Sequence, residues 1–253
     1  MTGKQIITLI TGANQGVGFE TAKNLLLSST SYHVLLGSRD PAKGAQAVSD
    51  LQSLPAIKGT VAAIQIDVTD DRSVDAAAQL VASTYGRLDV LVNNAGITSR
   101  QPSMRNNLRE ILSVNTVGPV SVTEAFLPLL RASDAPRLVF VSSSVGSITH
   151  AADPKSPYYR PEGTTYRASK AALNMIMVQY WNLLAREKED KAFKVFGADP
   201  GLNATNLTGD PQSLRNRGAA EPHVGGGVIA AVVKGERDAD VGRVCGAYGV
   251  SPW

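Results

Sequence analysis

The sequence predicts an α/β chain: one doubly wound parallel sheet in a single domain over residues 1–253. Three observations lead there. Short β-branched runs alternate with longer amphipathic stretches from end to end. The runs are apolar on both faces, as strands covered by helices on both sides must be. A glycine-rich turn joins the first run to the first helical stretch, where such folds receive ligands.

The elements follow in order. "QIITLIT" (5–11) is the first strand, followed by a helix near 17–28. "HVLLGS" (33–38) leads to a helix near 41–53, and "VAAIQID" (61–67) to one near 71–85. "RLDVLVN" (87–93) precedes a long helical stretch near 104–131. "RLVFVS" (137–142) is followed by a Pro-, Ser- and Gly-rich loop at 145–164 and a helix near 165–188. "FKVFGAD" (193–199) opens onto an aperiodic stretch at 200–222, then a helix near 223–234 and a last strand "VCGAYG" (244–249). Both long connections follow a strand, so both emerge at the carboxyl edge of the sheet. Residues 200–222 are the expected substrate lid.

Composition narrows the function classes. Apolar residues make up 43% and charged residues 19%, with net charge +3, and no basic stripe argues for nucleic acid. The single cysteine, Cys245, excludes an intrachain disulfide and fits a reducing compartment. The first apolar run is too short for a signal peptide or a membrane span. A cytoplasmic protein without a membrane partner is expected, and the sequons at Asn203 and Asn206 read as chance matches. His33, His150 and His223 are scattered, so no metal site is expected. No G-x-S-x-G elbow marks a hydrolase.

Two stretches carry chemistry. In "TGANQGVGFE", Gly12, Gly16 and Gly18 stand between a strand and a helix. Glycines there permit a tight turn and close approach of backbone to a pyrophosphate at the helix N-terminus. The second strand ends in "GSRDPAKG", where a cation accommodates a ribose 2′-phosphate and an acid binds the free hydroxyl. Arg39 and Lys43 favour NADP(H), while Asp40 offers the competing contact; a solvated helix start is the plain alternative. In "GTTYRASKAALNM", Tyr166 stands four places before Lys170, on one helical face. An ammonium beside a phenol lowers its pKa and fits it for proton transfer to or from a substrate oxygen. The serines of "VSSSVG" can orient that oxygen.

"TGANQGVG", "NNAG" (93–96), "SVNTVG" around Asn115, "VSSSVG" (141–146), "YRASK" (166–170) and "DPGLNAT" (199–205) occur in this order along most of the chain. Together they resemble the short-chain dehydrogenase/reductase family, a single-domain Rossmann fold, and in "GSRDPAKGAQAVSDLQ", "IDVTDDRSV" and "YGVSPW" its carbonyl reductase branch, which uses NADPH. The resemblance implies a catalytic tetrad of Asn115, Ser143, Tyr166 and Lys170. Ser143 is chosen among three serines because it lies three residues before Gly146. Asn115 would hold a water near Lys170.

For the cofactor, the resemblance implies the loop Gly12, Asn14, Gln15, Gly16, Val17 and Gly18. Arg39 and Lys43 would hold the 2′-phosphate, and Asp67 and Val68 would lie beside the adenine. Asn94, Ala95 and Gly96 would line the middle of the site. Tyr166 and Lys170 also face the cofactor, and Pro200, Gly201, Asn203 and Thr205 pack on the nicotinamide. Gln15 stands where NADPH enzymes of the family often carry a base, and Asn203 where a branched apolar residue is usual. The insert between Ser143 and Tyr166 is longer than in shorter members, a feature associated with monomers.

The expected activity is NADPH-dependent reduction of an aldehyde or ketone to an alcohol. An NAD-linked alcohol dehydrogenase and a non-catalytic NADP(H)-binding regulatory protein are the competing readings. The helices near 117–130 and 166–185 are apolar on nearly every face. Either a second subunit covers them, giving a homo-oligomer, or the 145–164 insert does, leaving a monomer.

Overall fold

The computed structural model describes residues 5–99, 101–187 and 192–253. Among them, eight strands form one sheet in the order β3-β2-β1-β4-β5-β6-β7-β8. The strands are β1 (Ile6–Ile10), β2 (Tyr32–Ser38), β3 (Thr60–Gln65), β4 (Val90–Asn93), β5 (Arg137–Val141), β6 (Lys194–Asp199), β7 (Val244–Gly246) and β8 (Gly249–Val250). The pairs from β3 through to β7 are all parallel. This is the doubly wound Rossmann arrangement that the alternation of runs predicts.

The last run departs from expectation. "VCGAYG" is a hairpin: β8 folds back antiparallel on β7, with Cys245 opposite Val250. Gly249, at φ +94°, supplies the reversal that a single strand would not contain.

The helices are α1 (Gly16–Ser28), α2 (Pro41–Gln52), α3 (Asp71–Tyr85), α4 (Met104–Leu112), α5 (Gly118–Arg131), α6 (Ile148–Ala152), α7 (Thr164–Leu184), α8 (Pro211–Asn216) and α9 (Pro222–Lys234). The expected loop at 145–164 contains the short α6, and the aperiodic 200–222 contains α8. Position 188, the expected end of the helix near 165–188, lies outside the described residues.

The stretch expected as one helix at 104–131 has a π-turn at Ser113–Val117 between α4 and α5. Pro119 follows directly and lacks an N–H, so the regular ladder cannot run through it. The wider turn takes up the extra residue, and Asn115 is fully buried there.

Strand alternation splits the core in two. Leu9, Leu91, Leu138, Phe140 and Val195 face α3, α5 and α7. Ile10, Val90, Val92, Val139 and Phe196 face α1, α2 and α9 on the other side. Leu173, Met177, Tyr180 and Leu184 form the sheet-facing stripe of α7. Its opposite side keeps Met175 and Leu183 exposed, at 61% and 52%. Within the chain, then, the 145–164 insert does not cover the outer stripe of this helix.

Strand order reverses between β1 and β4, whose helices leave on opposite faces. The crevice at that switch point, beyond the carboxyl ends of the strands, is where this architecture takes its ligand.

Candidate active site

A cleft of about 580 Å³ opens at the switch point. Gly12, Asn14, Gln15, Gly16, Val17 and Gly18 line one wall of it; Asn94, Ala95 and Gly96 line the next. The two walls are tied together. The Thr11 hydroxyl accepts from the Asn94 and Ala95 amides, both at 3.0 Å. Asn94 Nδ2 donates to the carbonyls of Thr11 (2.8 Å) and Gly12 (3.1 Å). A Cβ on Gly12 would stand 2.9 Å from Ala95 Cα, and its φ is +62°, so this position requires glycine on both counts.

The far end of the cleft is lined by Arg39, Asp67 and Val68. The Asp67 carboxylate accepts from Thr69 N (3.0 Å) and Thr69 Oγ1 (2.7 Å), which fixes the loop after β3. Asp40 does not reach into the cleft. Its carboxylate accepts from Ala42 N (2.9 Å) and Lys43 N (3.2 Å) and so caps α2. Arg39 and Lys43 are both exposed, and among the described residues neither side chain has a hydrogen-bonded or ionic partner. Arg39 borders the cleft; Lys43 does not.

These residues fit a dinucleotide phosphate. The loop offers its backbone at the N-terminus of α1, the cradle is held open by glycine, and a guanidinium without a partner among the described residues borders the far end of the cleft.

The second half of the site lies where β5, β6 and α7 meet. Lys170 is buried, and its ammonium donates to the Val141 carbonyl at 2.7 Å. It stands 5.6 Å from the centre of the Tyr166 ring. A Cβ on Gly146 would lie 2.8 Å from the Lys170 backbone carbonyl carbon, so glycine lets the turn after β5 press against α7. Asn115 Oδ1 accepts from Ile97 N (2.8 Å); its Nδ2 donates to the Ile97 carbonyl (2.9 Å) and to Ser169 Oγ (3.1 Å). A Cβ on Gly96 would be 3.4 Å from Asn115 Oδ1 and 3.9 Å from Lys170 Nζ, so these two side chains converge on one point.

The three serines divide. Ser142 donates to Asn174 Oδ1 and is buried. Ser144 donates to the Asp199 carboxylate through its hydroxyl, and through its amide at 2.7 Å. Ser143 Oγ accepts only a long contact, 3.4 Å, from Val145 N, and its side chain is part-exposed. Of the three, it has the hydroxyl least engaged by the protein.

The electrostatics differ from expectation at the tyrosine. Burial pushes the Tyr166 phenol well above its usual range, and the Asp199 carboxylate pushes it the same way. The expected lowering by Lys170 is absent, because the ammonium is turned to the Val141 carbonyl rather than to the phenol oxygen. Burial pulls Lys170 down to about 8, against the opposing field of Asp199.

Asn203 does not line the cleft. Its amide donates to the Pro200 and Gly201 carbonyls, each at 2.9 Å, and accepts from Gly225 N at 3.1 Å. Here the residue replacing a branched apolar side chain braces the loop from inside. Thr205 borders the cleft beside Gly16; Pro200 and Gly201 form the turn after β6.

Sequence reasoning passed over Asp199, Thr11 and the Thr98–Leu207 contact, in which Thr98 Oγ1 donates to the Leu207 carbonyl at 2.5 Å. An acid placed directly before Pro-Gly, at the end of a buried strand, was the available signal for Asp199. The other two depend on which strands lie side by side.

A family model described as short chain dehydrogenase matches residues 6–215. The short-chain dehydrogenase/reductase tropE of Talaromyces stipitatus is 40% identical over 256 residues, spanning 93% of this chain and 93% of its own. Salutaridine reductase of Papaver bracteatum is 34% identical over 181 residues, 58% of this chain and 57% of its own. Among solved structures, NADPH-bound carbonyl reductase from chicken fatty liver superposes with a TM-score of 0.77. It is 26% identical and covers 99% of this chain and 100% of its own.

Proposed function

The chain belongs to the short-chain dehydrogenase family, and from that membership we propose that it is an NADPH-dependent reductase of an aldehyde or ketone. The observation that carries the proposal is the approach of Lys170 to the Tyr166 ring, 5.6 Å, with the turn that carries Ser143 pressed against α7 at Gly146 beside the glycine-lined cleft. NADPH, when bound, supplies the hydride; the residues of the chain supply orientation and the proton.

In this reading Ser143, with its hydroxyl left open by the protein, hydrogen-bonds the substrate oxygen and aims the carbonyl carbon. Tyr166 gives its phenolic proton to that oxygen as it gains charge. The phenol holds its proton at neutral pH, the proton this step gives up. Lys170, an ammonium 5.6 Å from the ring, steadies the negative charge left on the phenol oxygen once it turns from the Val141 carbonyl towards it. Asn115 holds the Ile97 backbone and the Ser169 hydroxyl next to Lys170 and is the candidate to hold the water that returns the proton.

The cofactor preference rests on Arg39. Among the described residues its guanidinium has no partner, while Asp40, the group that would favour a free ribose hydroxyl, is used up capping α2. The resemblance also gives Lys43 a phosphate contact, which requires its exposed side chain to swing towards the cleft. Asp67 and Val68 are the proposed adenine contacts, and Pro200, Gly201 and Thr205 the proposed nicotinamide contacts. We read 200–222 as the substrate lid, supported by the Thr98–Leu207 contact across the cleft mouth. Among the described residues no helix is long and apolar enough to cross a membrane. The cytoplasmic assignment belongs to the proposal and is supported by a lone, buried Cys245.

The test is NADPH oxidation followed against aldehydes, monocyclic ketones and polycyclic ketones, repeated with NADH. Turnover that favours NADPH supports the reading. Equal kcat/KM for the two cofactors would remove the cofactor claim, and no turnover on any carbonyl would remove the activity.

A further inference from the structure

Asp199 ends β6 and is 7% exposed. One carboxylate oxygen accepts from Gly201 N at 2.9 Å. The other accepts from the Ser144 amide at 2.7 Å and from the Ser144 hydroxyl. Ser251 Oγ in turn donates to Ser144 Oγ at 3.3 Å. Gly246 on β7 leaves room for it: a Cβ there would stand 3.3 Å from Asp199 Cβ. Among the described residues no cation pairs with this carboxylate. A buried acid with backbone and hydroxyl donors but no ion-pair partner directs its charge into the site.

We propose that Asp199 is a positioning residue. Its carboxylate clamps the turn carrying Ser143 to the turn carrying Gly201, and it sets its charge beside the strand-end carbonyl that holds the Lys170 ammonium.

The clamp follows from connectivity. Ser143 is adjacent to Ser144, so two hydrogen bonds to Ser144 hold the backbone from which the Ser143 hydroxyl projects. Gly201, held by the other oxygen, sits at φ +74° in the loop proposed to pack on the nicotinamide. One side chain therefore sets the spacing between the substrate side and the cofactor side of the site.

The charge effect follows from what surrounds Lys170. The π-turn presents the neutral Asn115, and α7 the neutral Ser169 and the phenol of Tyr166. β5 presents the Val141 carbonyl, and the adjoining loops Gly96 and Gly146. Arg167, next on α7, is bound away to the Arg160 carbonyl. Val141, whose carbonyl holds the ammonium, is paired on the sheet with Ala198, one residue before Asp199; Asp199 is therefore the carboxylate nearest along β6, and it favours the protonated form of Lys170 against burial. It also favours the protonated phenol of Tyr166.

The inference rests on the reductase reading for its kinetic consequence, and its test is built to stand without it. The ε-carbon resonance of Lys170, in protein labelled with 13C-lysine and free of cofactor, reports the ammonium directly and is assigned by its loss in Lys170→Met. In Asp199→Asn, which keeps the shape and loses the charge, the titration midpoint is expected to fall by about one pH unit. In Ser144→Ala, which keeps the charge and loosens the clamp, the midpoint is expected to stay while kcat falls. An unmoved midpoint in folded Asp199→Asn, or an equal shift in Ser144→Ala, would overturn the charge-setting role. Should Asp199→Asn not fold, Asp199→Ser is neutral, smaller and read the same way. In the active protein, the alkaline limb of kcat/KM is expected to move with the midpoint; a limb that stays while the midpoint moves would overturn the link to turnover. If the parent chain reduces no carbonyl, the reductase reading fails, while the resonance still decides the role of Asp199.

Discussion

The Lys170 ammonium stands 5.6 Å from the centre of the Tyr166 ring and donates to the Val141 carbonyl at 2.7 Å. The ammonium is engaged by the backbone of β5 rather than by the phenol oxygen. Burial governs both groups, and it moves them in opposite directions: the phenol up, the ammonium down to about 8.

The first prediction is an alkaline limit on reduction. Lys170 loses its proton near pH 8, well before the phenol does. The kcat/KM for carbonyl reduction should therefore fall as pH rises through about 8. A profile that stays flat from roughly pH 7 to 9.5 would contradict this assignment.

The same burial predicts a stability cost. The Lys170 pKa lies lower in the folded chain than in the unfolded one, so the unfolded chain binds the proton more strongly. The penalty is full below about 8, fades as pH rises and is gone above 10.5. It is on the order of 3 kcal/mol. Lys170→Met should be inactive yet melt at or above the parent temperature at pH 7, part of the gain being lost to an unpartnered Val141 carbonyl. The difference should shrink by about pH 10, and thermal melts at the two pH values check it.

Tyr166→Phe separates chemistry from binding. It removes one oxygen from a half-buried ring and leaves Lys170 on the Val141 carbonyl. The kcat should drop by about 10²–10⁴-fold, the range of a lost general acid. The affinity for NADPH, measured by fluorescence titration, should stay within a few-fold.

Arg39 and Asp40 are neighbours with different predicted roles. Arg39→Ala should raise the KM for NADPH by about 10–100-fold, the loss of one charge-assisted contact, with little change for NADH. Asp40→Ala should instead cost about 1 kcal/mol of stability by uncapping α2 and leave the cofactor preference in place. Paired kinetics and melts of the two variants distinguish these effects.

The fold was legible because strands covered on both faces leave a continuous apolar signature, and seven runs carried it. The hairpin at β7–β8 was not, since a reversal at Gly249 leaves the hydrophobic pattern of "VCGAYG" unchanged. The π-turn was hidden for a similar reason: one wider turn barely disturbs a helical period, and only Pro119 hints at it. In the site, Tyr166 and Lys170 were visible as a spacing on one helix. Asp199 was not singled out, because its partner Ser144 comes from the turn after β5, far away in the chain. Contacts between distant segments leave no local trace.

Asn203 gives the last prediction, where the family pattern and this structure part. The position usually carries a branched apolar residue, and here it holds three hydrogen bonds to Pro200, Gly201 and Gly225. Gly225 fits the amide closely: a Cβ on it would stand 2.5 Å from Asn203 Nδ2. Asn203→Val restores the usual side chain but supplies none of these bonds. It leaves the buried Gly225 N–H without its acceptor, at a cost of about 1–3 kcal/mol, and two carbonyls with one donor fewer. The variant should therefore melt lower than the parent, despite matching the pattern. Asn203 does not line the cleft, so the KM for NADPH should move much less than it does in Arg39→Ala. A variant as stable as the parent but with a KM raised as far would instead make Asn203 a cofactor contact.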